Sequence, residues 1–114
     1  MMNTQTKIDL ITIVTETDDL NQIIEEERTT ASVFAEVRSV SQSEFFEGGR
    51  LGFQPELQIS MYYFEYNNEK IVEVNGKRYS VYRTYNRAED DRIELYLEEK
   101  EGTANGPSSN DSTP

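Results

Sequence analysis

The residues best equipped for chemistry in this chain are carboxylates, gathered at Glu25-Glu26-Glu27, Glu89-Asp90-Asp91 and Glu98-Glu99. Two carboxylates facing each other across a cleft can cleave glycosidic bonds, and several converging oxygens can hold a hard cation. Neighbours in sequence do neither on a strand, because successive side chains point to opposite faces. In turns they are simply solvated. No Asp-x-Asp-x-Asp-Gly calcium loop is present. The chain has no Cys and no His. Disulfides, thiolate nucleophiles, imidazole acid-base work and Cys/His zinc sites are therefore excluded. No Gly-x-Ser-x-Gly elbow occurs, so the serines lack a triad. The run Gly48-Gly49-Arg50-Leu51-Gly52 follows a helix rather than opening one and lacks the Gly-Lys-Ser/Thr of a phosphate loop. It reads as a flexible loop. The expectation is a protein with no catalytic residues, no metal and no cofactor, and hence no enzyme.

The aromatics carry more information. Six of the seven tyrosines lie between Tyr62 and Tyr85. Rings on a sheet can stack bases when a positive groove accompanies them. Here the cations Lys77, Arg78, Arg83, Arg87 and Arg92 alternate with acids, which favours sheet cover or a subunit interface. Phe45, Phe46, Leu51 and Phe53 sit on and after a short helix, either as core or as an exposed anchor for a neighbour. The totals agree with a binding role. Asp and Glu number 22 against 11 Lys and Arg, a net charge of −11, which repels phosphate backbones. No apolar stretch approaches the ~20 residues of a membrane helix, and the N-terminus has no signal-peptide pattern. No membrane partner is expected.

The elements that must position these residues are mostly strands. Ile8 to Thr15 is rich in β-branched residues. Glu16 to Asn21 reads as a turn, and Gln22 to Thr30 as a strand or an irregular arm. In Val33 to Val40, Val33, Ala35 and Val37 alternate against Phe34, Glu36 and Arg38. Ser41 with Glu44 three residues on is a capping-box pattern. It starts a helix of about two turns that Gly48 and Gly49 should stop. Leu57 to Phe64 is a strand, and Glu65 to Glu69 a turn. Lys70 to Val74 and Lys77 to Tyr85 form a hairpin about Asn75-Gly76, both of which accept the positive φ of a type I′ turn. The two-residue loop places Val74 opposite Lys77, Glu73 opposite Arg78 and Val72 opposite Tyr79. Asn86 to Asp91 is a turn. In Ile93 to Glu98, Ile93, Leu95 and Leu97 should face in, with Glu94, Tyr96 and Glu98 out. The expected fold is all-β and mainly antiparallel, a small barrel or sandwich of about six strands with one short helix. Residues 1–101 form its single domain. The segment 102–114 lacks bulky apolar residues and is expected to be a disordered polar tail.

The run Val33-Phe34-Ala35-Glu36-Val37 to Ser41, then Ser43-Glu44-Phe45-Phe46 with its glycine-rich exit, resembles the head-closure (head-tail joining, or connector) proteins of tailed bacteriophages and prophages. So do Pro55-Glu56 before a strand, the stretch Val74 to Tyr85, and Ile93-Glu94-Leu95-Tyr96. The resemblance spans roughly Ile8 to Gly102. It implies a small β-barrel that forms a homo-oligomeric ring at the virion neck, assembled in the bacterial host cytoplasm. Such a ring sits below the portal or its adaptor, closes the DNA-filled head, and presents a surface to a tail-completion or tail protein. DNA passes through without sequence-specific binding. On that reading Phe45, Phe46, Arg50, Leu51 and Phe53 are candidates for the partner or ring interface. Glu65, Asn67, Asn68 and Glu69 are candidates for a loop facing the lumen or a neighbouring ring. The alternative is an SH3-like or OB-like module that binds peptide or single-stranded nucleic acid through Tyr62, Tyr79 and Tyr82. Unlike many members of that family, this chain has an acidic first strand and no Trp.

Overall fold

Asn75 and Gly76 take φ of 53° and 82°, and the hairpin they close has the expected register. Val74 pairs with Lys77, Glu73 with Arg78, and Val72 with Tyr79. Arg78 Nε donates to Glu73 at 2.8 Å on the outer face. Val72, Val74 and Tyr79 are buried on the inner one. The computed structural model to which this hairpin belongs describes residues 5–100. The expected tail, 102–114, lies outside the described residues, as does the domain limit at 101.

Six strands make up the sheet: β1 (Gln5–Thr17), β2 (Ile23–Ser39), β3 (Pro55–Tyr62), β4 (Ile71–Val74), β5 (Lys77–Arg87) and β6 (Arg92–Glu99). One helix, α1 (Gln42–Arg50), links β2 to β3. All neighbours are antiparallel, and the order β1-β2-β3-β6-β5-β4 closes on itself. The all-β expectation holds. The closure is uneven, since β4 joins β1 over four residue pairs only, Ile8 to Ile11. Alternating residues from every strand fill the interior, chief among them Ile8, Leu10, Ala35, Ile59, Met61, Val72, Leu95 and Leu97.

The segment Gln22 to Thr30 is strand from Ile23 onward, and β1 and β2 form one long hairpin turning at Asp18–Gln22. Asp18 Oδ1 accepts from the backbone N–H of Leu20 and Gln22, and Asn21 takes a φ of 63°. Beyond Ile11 on β1, and before Glu36 on β2, the two strands are paired only to each other apart from the short β1–β4 seam. The hairpin therefore runs past the barrel as an arm. A bulge at Thr30 marks its base, where Leu10 pairs with Ala31 but Ile11 with Thr29.

Three local expectations are corrected. Gly48 and Gly49 do not stop α1, which continues to Arg50. The true stop is Gly52, at φ 95°. Its N–H bonds to Gly49 O, and that of Phe53 to Gly48 O, the paired pattern of a Schellman cap. Strand β3 ends at Tyr62, and Tyr63–Glu65 is a turn of 3₁₀ helix. Tyr96 and Glu94 do not face water. They are 8% and 9% exposed, because side chains from β5 fold over β6.

Candidate partner-binding site

Helix α1 is short, so what braces it decides what it can do. Ser41 caps it as expected, its hydroxyl accepting from Glu44 N–H at 3.1 Å. Glu44 does not return to the cap. Its carboxylate takes Tyr82 Oη at 2.6 Å and Arg83 Nη2 at 2.5 Å. Consecutive residues on a strand normally face opposite ways. A bulge in β5, where Val81 pairs with Leu97 but Arg83 with Tyr96, lets Tyr82 and Arg83 both reach the helix. Phe53 then stacks on Tyr82, centroids 4.6 Å apart and planes 21° apart. Gly48 is buried where the helix crosses β3. A Cβ there would stand 2.5 Å from Pro55 Cγ and 3.3 Å from Tyr82 Oη.

The bracing continues along the barrel wall. The Arg83 guanidinium lies 4.0 Å from the Tyr96 ring centroid. Tyr96 Oη donates to Glu94 at 2.7 Å, and Glu94 accepts from Arg87, which also holds Asp90. The protonation states follow. Burial alone would raise the Glu44 carboxyl, but hydrogen bonds from Arg83 and Tyr82 and the nearby guanidinium charge hold it below its ordinary value. Burial, then the bond to Glu94, pushes Tyr96 up to about 12. Burial, then the bond to Glu44, raises Tyr82.

A helix so fixed still turns apolar rings to water. Phe45 and Phe46 are 52% and 59% exposed, in edge contact at 5.7 Å, and Leu51 is 72% exposed. A groove of about 500 Å³ opens between Glu44, Glu47 and Leu51 on one side and Phe53, Tyr82 and Arg83 on the other. The expected interface residues are thus brought together, in two roles. Phe45, Phe46 and Leu51 are presented, with exposed Arg50 bonded to Glu47 at 2.8 Å. Phe53 is half-buried support on Tyr82.

The expected lumen loop is not a single surface. Asn67 and Asn68 are exposed and Glu65 is half-buried, but Glu69 is only 2% exposed. Its carboxylate accepts from Thr30 Oγ1 at 2.5 Å and from Asn67 N–H at 2.8 Å. Glu69 ties the loop to the base of the arm and does not line a channel. The three tyrosines of the alternative reading are not brought together either. Tyr79 is 6% exposed inside the barrel, Tyr82 lies under Phe53, and Tyr62 is at the far end of β3 from the helix.

Most members of the carboxylate runs are taken up by cations or backbone, while Glu25, Glu89 and Asp91 stay exposed. Glu27 and Glu73 share Arg78, Asp90 pairs with Arg87, Glu99 with Lys77, and Glu98 accepts Gln54 N–H. Among the described residues no three carboxylates gather to hold a metal. Sequence reasoning missed the Glu44–Tyr82–Arg83 clamp, since Glu44 read as a cap partner. It named Tyr62 but did not join it to exposed Phe34 and Phe64 at the other end of β3. The outward place of Phe34 in its alternating strand was the available signal.

No family model matches the chain, and no curated protein matches it. Among solved structures, the fold is similar to the solution structure of protein SF1141 from Shigella flexneri 2a. The TM-score is 0.73 at 19% identity, over 87% of this chain and 95% of that one. At that identity the likeness is one of fold.

Proposed function

We propose that this chain is a structural subunit of the bacteriophage neck, a head-tail connector. Copies form a ring below the portal or its adaptor, close the DNA-filled head and offer the tail its attachment surface. The observation that carries the reading is a helix immobilised on the barrel yet turning Phe45, Phe46 and Leu51 to solvent. Rigid aromatic anchors on a pre-positioned element are what a docking surface needs, since little ordering entropy is lost on binding. The resemblance of the Val33 to Tyr85 segments to head-closure proteins names the partner class. The charge of −11 suits a ring through which DNA must slide. Basic contacts would retain it, whereas acids repel it within a Debye length of about 8 Å.

The test separates docking from folding. Phe45→Ala and Phe46→Ala remove exposed rings, so stability should move by no more than about 0.5 kcal/mol. Docking to the portal or adaptor assembly should weaken by about 2 kcal/mol, some thirtyfold. Equal losses of thermal stability and docking would make the rings structural and remove the reading.

A further inference from the structure

One row of outward side chains crosses five strands of the barrel. Lys7 on β1 pairs with Phe34 on β2, Tyr62 on β3 with Arg92 on β6, and Arg92 with Arg87 on β5. Carrying the β2–β3 register two residues beyond Glu36 and Ser60 sets Phe34 opposite Tyr62. Phe34 is 62% exposed and Phe64, stacked on Tyr62 at 5.5 Å, is 70% exposed. The Arg92 guanidinium lies 4.9 Å from the Tyr62 ring centroid. Arg87 is already neutralised by Asp90 and Glu94. Among the described residues neither Lys7 nor Arg92 has an ion-pair partner. Arg92 donates to Ser60 Oγ and Ser60 O at 3.1 and 2.9 Å, so its position is fixed while its charge stays unpaired. On a chain of net charge −11, this row sets two adjacent rings between cations that no carboxylate neutralises.

The arm has the matching chemistry. Ile13, Leu20, Ile23 and Ile24 are exposed on it. Between them stand Glu16, Asp18, Asp19, Glu25 and Glu26, with Arg28 beside Glu26 and Lys100 across a shallow pocket from Glu25 and Glu26. Arg78 holds Glu27 near the base of the arm, but from Thr15 to Ile24 the two strands pair only with each other, and an isolated two-stranded ribbon is marginally stable in water.

We propose that the arm of one copy of this chain lies on the Phe34–Tyr62–Arg92 row of the next copy. Aliphatic side chains meet rings, and carboxylates meet Lys7 and Arg92. The arm cannot reach its own row. Ile24 and Phe34 lie on one continuous strand, about 33 Å apart at 3.3 Å per residue. Two different patches joined in this way make a head-to-tail contact, which closes into a ring or grows as a filament. The inference deepens the ring reading above and rests on it for the biological setting. A second copy fits better than single-stranded nucleic acid, because two cations without ion pairs are few for a phosphate backbone and the overall charge opposes it.

The absence of cysteine makes the test specific. Full-length Ile24→Cys and Phe64→Cys chains are mixed in equal amounts, mildly oxidised and resolved by mass. The mixed disulfide should exceed either homodimer by well over the twofold that chance pairing gives. Adding Lys7→Glu to the Phe64→Cys chain should bring it back to chance. A chance ratio without that addition, or an excess of either homodimer, overturns the proposal. Labelled single-stranded oligothymidine is titrated in parallel. Salt-sensitive binding that Tyr62→Ala abolishes assigns the row to nucleic acid and also overturns it. Portal docking of the unoxidised chains is read separately. Docking without the arm–row cross-link removes this inference alone, and the cross-link without docking supports it while removing the neck assignment.

Discussion

Gly48 and Gly49 are adjacent on one helix, and the same substitution should move them in opposite directions. At Gly49 a Cβ meets nothing within 4 Å. Alanine there gains helix propensity, about 0.5 kcal/mol near a helix end. At Gly48 the new carbon stands 2.5 Å from the Pro55 ring, roughly 1 Å inside ordinary van der Waals contact. The proline ring cannot swing aside, so the helix must retreat by a similar distance. That would stretch the 2.6 Å and 2.5 Å bonds of Glu44 to Tyr82 and Arg83 to the edge of hydrogen-bonding range. Overpacking costs about 1–3 kcal/mol, and weakening charge-assisted bonds adds to it. Against the propensity gain, the net loss is about 2 kcal/mol. For a domain of this size, 1 kcal/mol moves Tm by about 4–5 °C. Thermal unfolding followed by circular dichroism should place Gly49→Ala about 2 °C above the parent and Gly48→Ala about 8 °C below it. A Gly48→Ala chain as stable as Gly49→Ala would refute the account of how the helix is held.

The clamp also responds to acid. The Glu44 carboxyl is held below its ordinary value of 4.5, so its contribution is present above that value and is lost as pH falls through the lower folded-state value. Glu44→Gln should therefore flatten the stability–pH curve below about pH 4.5, as measured by urea midpoints. Alkali acts from the other side. Burial and then the Glu69 charge push Tyr66 up to about 12, as burial and the Glu94 bond do for Tyr96. Their contribution is complete below 10 and is lost as pH rises through 12, so ultraviolet titration should show both phenols ionising only as the fold opens. Glu69→Ala strands the Asn67 N–H and leaves the Thr30 hydroxyl only its longer, 3.2 Å bond to Leu10 O. It should cost about 2 kcal/mol and speed amide exchange at residues 23–30.

Much of the fold was legible because its signals are local. The Asn75-Gly76 turn admits one register, and the capping pattern at Ser41 needs only the next three residues. What was not legible depends on distant partners. Tyr96 and Glu94 alternate like outward residues, and only the bulge that brings Arg83 and Arg87 over β6 buries them. Gly48 has the composition of a stop, and only the approach of Pro55 makes it a packing residue. Glu69 looked like a solvated turn acid until Thr30, thirty-nine residues away, met it. Of the candidate site, Phe45, Phe46 and Leu51 were readable as apolar residues on a helix too short to stand alone. The clamp that holds them out was not, since it is made by a strand the sequence does not tie to the helix.

The central claim is that this chain joins a portal complex through the exposed face of α1. Mass measurement of the full chain, alone and mixed with a portal or adaptor ring, addresses that directly. The account predicts a shift of the ring to a heavier species carrying several copies, abolished or strongly reduced by Phe45→Ala with Phe46→Ala. A chain that stays separate from the ring at every ratio, while remaining folded, would contradict it.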